Sequence, residues 1–119
     1  VVEPAASPLL SGGNPAGHPL QGIGPNFIPE ILDKSVYDEV FDAPNEEAIK
    51  YARRAGAEEG ILAGVSCGAA IAVALRLARL PEFEGKTIVA VLPDSGERYL
   101  SGPLFEGVFD VSQLPLVQS

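Results

Sequence analysis

The run Gly64-Val65-Ser66-Cys67-Gly68-Ala69-Ala70 constrains this chain more than any other segment. It joins an apolar, strand-like stretch, Gly60-Ile61-Leu62-Ala63, to an Ala-rich, helix-like stretch from Ala69 to Arg79. The turn places Ser66 at a helix N-terminus, where backbone N–H groups lack intrahelical partners and the helix dipole is positive. A hydroxyl in that position is set to hold a cofactor or a reacting group.

The flanking pattern extends this junction into a strand–helix–strand unit. The helix is expected over Cys67–Leu80, a turn over Glu82–Lys86, and a second strand over Thr87–Leu92. Ile88-Val89-Ala90-Val91-Leu92 is apolar throughout, as in a strand covered on both faces of a parallel sheet. Such a unit implies a right-handed crossover between parallel strands, hence an α/β fold. The polar run Pro93-Asp94-Ser95-Gly96-Glu97-Arg98 then falls at a strand's C-terminal end, the edge where open α/β sheets bind ligands. Upstream, Val36–Phe41 is β-prone, and Pro44-Asn45-Glu46-Glu47 opens a helix. Asn45 is the expected cap, and Glu46 with Lys50 an i,i+4 pair. Ala48, Ile49, Ala52 and Ala55 recur at helical spacing, and that helix should end near Gly60. Residues 4–29 are Pro- and Gly-rich, and Leu20, Ile23, Phe27 and Ile28 are the expected anchors of an ordered loop. A partial helix with frayed ends is expected over Leu104–Ser119.

Charge and composition exclude several classes. Sixteen acidic residues against 8 Lys and Arg give a net charge of −8, which disfavours nucleic acid and anionic membranes as partners and favours solubility. No apolar stretch reaches the roughly 18–20 residues of a membrane span. Residues 1–10 lack the basic start and apolar centre of a secretory signal, so the expected location is cytoplasmic. A single Cys forms no internal disulfide, and one His with one Cys gives no multi-ligand zinc site. Val1-Val2-Glu3-Pro4 reads as the end of a strand already under way, so we expect this chain to be part of a longer one.

Two chemistries use a serine at such a turn. Gly64-Val65-Ser66-Cys67-Gly68 matches G-x-S-x-G, the nucleophile elbow of serine hydrolases. That chemistry needs a histidine base after the serine and the acid, but the only histidine, His18, comes before Ser66 in a Gly-His-Pro segment and reads as a solvated loop residue. Cys67 also lacks a base and reads as a small buried helix residue.

The second chemistry rests on four runs taken in order. These are Gln21-Gly22-Ile23-Gly24-Pro25-Asn26-Phe27-Ile28-Pro29, Asn45-Glu46-Glu47-Ala48, Glu59 to Ala70, and Leu92 to Ser101. Together they resemble the C-terminal part of bacterial cysteine synthases, the O-acetylserine sulfhydrylases, from Val1 to about Phe109. The resemblance implies an α/β three-layer parallel-sheet sandwich, the C-terminal (large-domain) part of a fold-type II pyridoxal-phosphate enzyme, typically a homodimer. It implies pyridoxal 5'-phosphate as cofactor, and O-acetyl-L-serine with sulfide as substrates giving L-cysteine and acetate. In that family the serine matching Ser66 hydrogen-bonds the cofactor's pyridine nitrogen, the segment around Pro93 lies near the pyridine edge, and the segment matching Gly22-Ile23-Gly24 lines the substrate site. A neutral hydroxyl leaves the pyridine nitrogen unprotonated, whereas a carboxylate would favour the pyridinium.

This chain departs from the family at Cys67, where a second serine is common, at Pro25-Asn26, where Ala-Gly is common, and at Asp94, where serine is more frequent. Glu97-Arg98-Tyr99 reads as an ion pair and a packing residue. The family's catalytic lysine, its substrate-carboxylate loop and its phosphate loop belong to its N-terminal half. Lys34, Lys50 and Lys86 do not match the lysine motif, so residues 1–119 alone are expected to hold no catalytic residue and to form no cysteine. Two alternatives stand beside this reading. One is a cystathionine β-synthase or O-phosphoserine sulfhydrylase relative. The other is a non-catalytic α/β partner-binding module. The resemblance also implies the C-terminal tail of serine acetyltransferase as a partner.

Overall fold

A computed structural model describes residues 1–107. Two short strands, β1 (Val2–Pro4) and β2 (Phe41–Ala43), pair in parallel with Val2 opposite Phe41 and Pro4 opposite Ala43. Two helices follow, α1 (Asn45–Glu59) and α2 (Val65–Ala78). The α/β character with a parallel sheet is therefore present, and the first strand falls where Val1–Pro4 predicts one.

Helix α1 starts at Asn45 behind Pro44, whose extended backbone makes Pro44 the cap in place of Asn45. Glu46 and Glu47 sit in the first turn, where negative charge suits the dipole. The helix stops at Gly60, whose left-handed φ of 69° lets its N–H close back on the last turn. Lys50 lies over the Tyr51 ring rather than pairing with Glu46, and the ion pair on this helix is Arg54–Glu58 at 2.7 Å.

The two helices cross on small residues. Ala48, Ala52 and Ala55 of α1 are buried, as are Val65, Cys67, Gly68, Ala69, Ala72 and Val73 of α2. At the crossing Gly68 lies directly against the Ala48 carbonyl, and a Cβ there would also sit 2.8 Å from Ala52 N. Leu20 and Leu104, almost wholly buried, complete the core with Tyr99. Arg53 holds the last described turn onto α1, donating to the carbonyls of Pro103, Leu104 and Glu106.

Three expected strands differ. Val36 is 75 % exposed, because Asp33 accepts both the N–H and the hydroxyl of Ser35 and turns the chain there, so that β2 begins only at Phe41. Residues 61–64 make a single antiparallel bridge, Ala63 to Ser95. Residues 87–92 pair with no strand among the described residues, which leaves Val89 84 % and Val91 74 % exposed. A strand exists through its neighbours' hydrogen bonds, and apolar sequence alone does not supply them. The radius of gyration, 16.6 Å, exceeds the roughly 13 Å of a compact domain of about this length. At the start of the expected tail helix the described residues form a short turn, Pro103–Phe105, and the rest of that expectation, over residues 108–119, lies outside the described part.

Residues 4–29 form an ordered loop, but with fewer anchors than expected. Leu20 is fully buried and Ile23 packs on the core, whereas Phe27 and Ile28 are exposed. Glu3 is a buried carboxylate that organises the start of this loop. It accepts the Leu10 N–H at 2.8 Å, the Ser11 N–H at 3.1 Å and the Ser11 hydroxyl.

Candidate functional site

Ser66 is the second residue of α2, 4 % exposed, and its hydroxyl takes no hydrogen bond from or to any described side chain. Gly64, the cap, offers no side chain to the free N–H groups of the first turn. The helix therefore presents an unshared hydroxyl together with its positive end.

The loop Gly22-Ile23-Gly24 is brought to this helix end. A Cβ on Gly22 would lie 3.7 Å from Ser66 Oγ, with nothing else within 4 Å, so the missing side chain keeps a space open beside the hydroxyl. The φ of Gly22 is 94°, of Gly24 58° and of Asn26 65°, three left-handed residues within five. Glycine carries the first two without strain. Asn26 is held in place by its Oδ1, which accepts the Ser7 hydroxyl at 2.7 Å. Ile23 points into the core and fixes the middle of the loop.

Pro93 is exposed and adjoins the other wall of the helix end. The next residue, Asp94, accepts the Gly64 N–H and the Cys67 thiol on its carbonyl oxygen, each at 3.1 Å. Gly96 N–H bonds the Leu62 carbonyl at 3.1 Å. The segment after Pro93 is thus pinned along residues 62–67, and Pro93 is carried with it. The structure brings Gly22 to Ser66 and places Pro93 next to the segment bonded on either side of Ser66.

Asp94 has a structural role that the sequence left unassigned. Its carboxylate accepts the Tyr99 hydroxyl and the Ser95 N–H and pairs with Arg98 at 3.8 Å. The Tyr99 hydrogen bond is the main reason its pKa lies below the usual 3.8, with the Ser95 N–H and the Arg98 charge acting in the same direction. The same bond raises Tyr99 above the usual 10.0, helped by burial. Cys67 is fully buried with its thiol spent on the Asp94 carbonyl, as expected for a packing residue. His18, read from sequence as a solvated loop residue, is half-buried and bonded at both ring nitrogens.

Lys34, Lys50 and Lys86 are exposed and lie in a turn, on α1 and beyond α2; none adjoins Ser66. Among the described residues no cluster of His, Cys, Asp and Glu could hold a metal ion. A cavity of about 220 Å³ lies behind the loop, lined by Val2, Leu9, Ile23, Gly24, Asn26 and Phe27 among others, but it does not reach Ser66. The arrangement offers a ligand a single hydroxyl, a helix N-terminus, and a glycine that leaves room.

A family model described as pyridoxal-phosphate dependent enzyme matches residues 1–94. The cysteine synthase of Staphylococcus aureus strain Mu50 is 52 % identical over 104 residues, which are 87 % of this chain and 33 % of that protein. The crystal structure of a cysteine synthase from Entamoeba histolytica superimposes with a TM-score of 0.86 at 46 % identity, over 88 % of this chain and 31 % of that one. An O-ureido-L-serine synthase superimposes with a TM-score of 0.86 at 45 % identity, over 92 % of this chain and 34 % of that one. An O-acetylserine dependent cystathionine β-synthase from Helicobacter pylori gives a TM-score of 0.76 at 39 % identity, over 87 % of this chain and 33 % of that one. The chain spans about a third of the length of these relatives.

Proposed function

The chain belongs to the pyridoxal-phosphate dependent enzyme family, and we propose that it supplies the pyridine-nitrogen side of the cofactor site in an enzyme making L-cysteine and acetate from O-acetyl-L-serine and sulfide. Residues 1–119 are, on this reading, the C-terminal, large-domain portion of a cysteine synthase. The lysine that bonds the cofactor and the loop that grips its phosphate belong to the part of the relatives that this chain does not span.

The observation that carries the proposal is the unshared Ser66 hydroxyl at the N-terminus of α2, with Gly22 leaving space beside it. With the cofactor bound, the hydroxyl would donate to the ring nitrogen. The positive helix end disfavours a proton on that nitrogen, so hydroxyl and dipole act in the same direction. Bound pyridoxal phosphate supplies an electron sink for loss of the substrate's α-proton and β-acetoxy group. Elimination of a good leaving group needs only a moderate sink, which is what a neutral hydroxyl provides. Gly22, Ile23 and Gly24 would bring backbone against the amino-acid substrate, and Pro93 would lie near the ring's edge.

Acetylserine as the activated serine is supported by an O-acetyl serine sulfhydrylase of Entamoeba histolytica and by the Helicobacter pylori protein, whose names carry that donor. The relatives' names differ in the product, so sulfide is the part of the proposal resting most on the four motifs. A homodimer, with the C-terminal tail of serine acetyltransferase as an occasional occupant of the site, follows from the same resemblance, and the cytoplasm is the location expected from the sequence. No helix among the described residues is long and apolar enough to cross a membrane.

The test is a visible absorption spectrum of the chain co-expressed with a cysteine synthase N-terminal half, before and after adding O-acetylserine. A cofactor band that changes on adding O-acetylserine, with cysteine formed on adding sulfide, is the expected result. Folded, associated halves without a cofactor band would refute the proposal and leave the partner-binding module in its place.

A further inference from the structure

His18 spans the loop that carries Gly22-Ile23-Gly24. Its Nδ1 accepts the Leu20 N–H at 3.1 Å, which places the proton of the neutral ring on Nε2. Nε2 lies 2.7 Å from the Gly24 carbonyl oxygen and donates to it. Leu20 is fully buried in the core, so the imidazole ties a fixed point of the fold to the far end of the loop. Gly24 is confined on two sides: a Cβ there would sit 2.9 Å from His18 Nε2 and would collide with the Pro4 ring. Between the two tied points stands Gly22, the residue that faces Ser66. The other supports of this stretch are the Gln21 N–H on the Pro19 carbonyl at 3.0 Å, the Ile23 N–H on the Leu20 carbonyl at 3.5 Å, and the packing of Ile23 on the core; none of them holds the Gly24 carbonyl. Ser7 holds the loop further along, at Asn26.

We infer that His18 is a positioning residue that sets the distance of the Gly22–Gly24 backbone from Ser66, and thereby the fit of the amino-acid substrate. This rests on the function proposed above. His18 does not touch the reacting atoms, so its loss should appear in substrate binding more than in turnover once bound.

The experiment compares three variants in the assembly with a cysteine synthase N-terminal half. His18→Phe keeps the ring shape and removes both hydrogen bonds. His18→Asn keeps an acceptor for Leu20 but does not reach Gly24. His18→Gln keeps a donor at the distance of Nε2. A lost neutral hydrogen bond corresponds to about a 5- to 10-fold effect. We expect KM for O-acetylserine to rise by about that factor in His18→Phe and His18→Asn, with kcat within about 2-fold, and His18→Gln to restore most of the loss.

Amide hydrogen exchange over residues 19–27 is read in the same samples and needs no turnover. Faster exchange in His18→Phe and His18→Asn is expected. Unchanged exchange overturns the inference whatever the kinetics show, and so does faster exchange with unchanged KM. A fall in kcat alone, without rescue by His18→Gln, also overturns it. An inactive wild-type assembly refutes the functional reading and the substrate half of this inference with it, and exchange then still decides the loop half.

Discussion

Replacing Gly68 by Ala tests the feature on which the position of Ser66 depends. Taken as helix chemistry alone, Gly68→Ala stabilises α2 by about 1 kcal/mol. The crossing reverses that sign. The new Cβ would overlap the Ala48 carbonyl oxygen and stand 2.8 Å from both Ala48 C and Ala52 N, where ordinary contact begins at 3.4 Å. All three are backbone atoms of α1, so no rotamer relieves the clash, and the helices must part by on the order of 1 Å. Forcing a methyl group into a packed interface costs about 1–3 kcal/mol, and the rigid backbone here puts the cost at the upper end. The net expectation is a loss of about 2 kcal/mol, roughly 30-fold in the folding equilibrium. Ser66 lies two residues before Gly68, so the same displacement moves the hydroxyl, and a 1 Å error near a reacting centre costs up to about 100-fold in rate. Gly56→Ala is the control. Its Cβ would meet only the Ile61 carbonyl at 3.8 Å, so the propensity gain should survive and stability should rise by up to about 1 kcal/mol. Urea unfolding followed by circular dichroism, with cofactor titration, reads both variants in the assembly with a cysteine synthase N-terminal half. Gly68→Ala as stable as Gly56→Ala, with cofactor affinity unchanged, would refute the close crossing and the argument built on it.

Three further outcomes follow from the site. Ser66→Ala should weaken pyridoxal-phosphate binding about 5- to 10-fold, the cost of one hydrogen bond, in a fluorescence titration of the assembled protein; equal affinity would remove Ser66 from the site. Gly22→Ala places a side chain at φ 94° and 3.7 Å from Ser66 Oγ, and should raise KM for O-acetylserine while destabilising the loop by about 1–2 kcal/mol; wild-type kinetics would disconnect the loop from the substrate. Asp94 titrates below its usual 3.8 in the folded protein, so its stabilisation is complete above that pH and disappears as the pH falls through the lowered value. Tyr99 titrates above 10.0, so its share is complete below pH 10.0 and disappears as the pH rises through the raised value. Asp94→Asn should therefore lower the urea midpoint at neutral pH and flatten its acid limb, and an unchanged acid limb would show that the carboxylate–Tyr99 bond does not support the loop.

Local signals in the sequence recover the helices well. Alanines at i, i+4 and i+7 and the stop at Gly60 locate α1, and the Gly-Ala-Ala run locates α2 within two residues at each end. The position of Ser66 follows from the same junction, because a helix start is a local event. The strands at 61–64 and 87–92 do not form among the described residues, because pairing depends on partners distant in sequence. The approach of Gly22 to Ser66 spans 44 positions of sequence and was reached only through the family resemblance. His18 gave no signal of its contacts, since its Gly-His-Pro context pointed to solvent. Asp94 gave none, since a carboxylate among polar residues reads as surface until Tyr99 is seen to fold back on it.

The open stretch at 87–92 sets the colloidal behaviour of the chain. Ile88 to Leu92 offers five consecutive apolar residues, and its backbone groups, which pair with no strand among the described residues, are a template for a second copy of the same segment. What opposes that association is electrostatic repulsion between molecules of net charge −8. Salt shortens the reach of this repulsion to about 8 Å at physiological ionic strength and to about 3 Å at 1 M, while leaving the apolar attraction in place. The isolated chain therefore has a critical concentration for self-association that falls as salt is added, and occupation of this edge by another strand would abolish it.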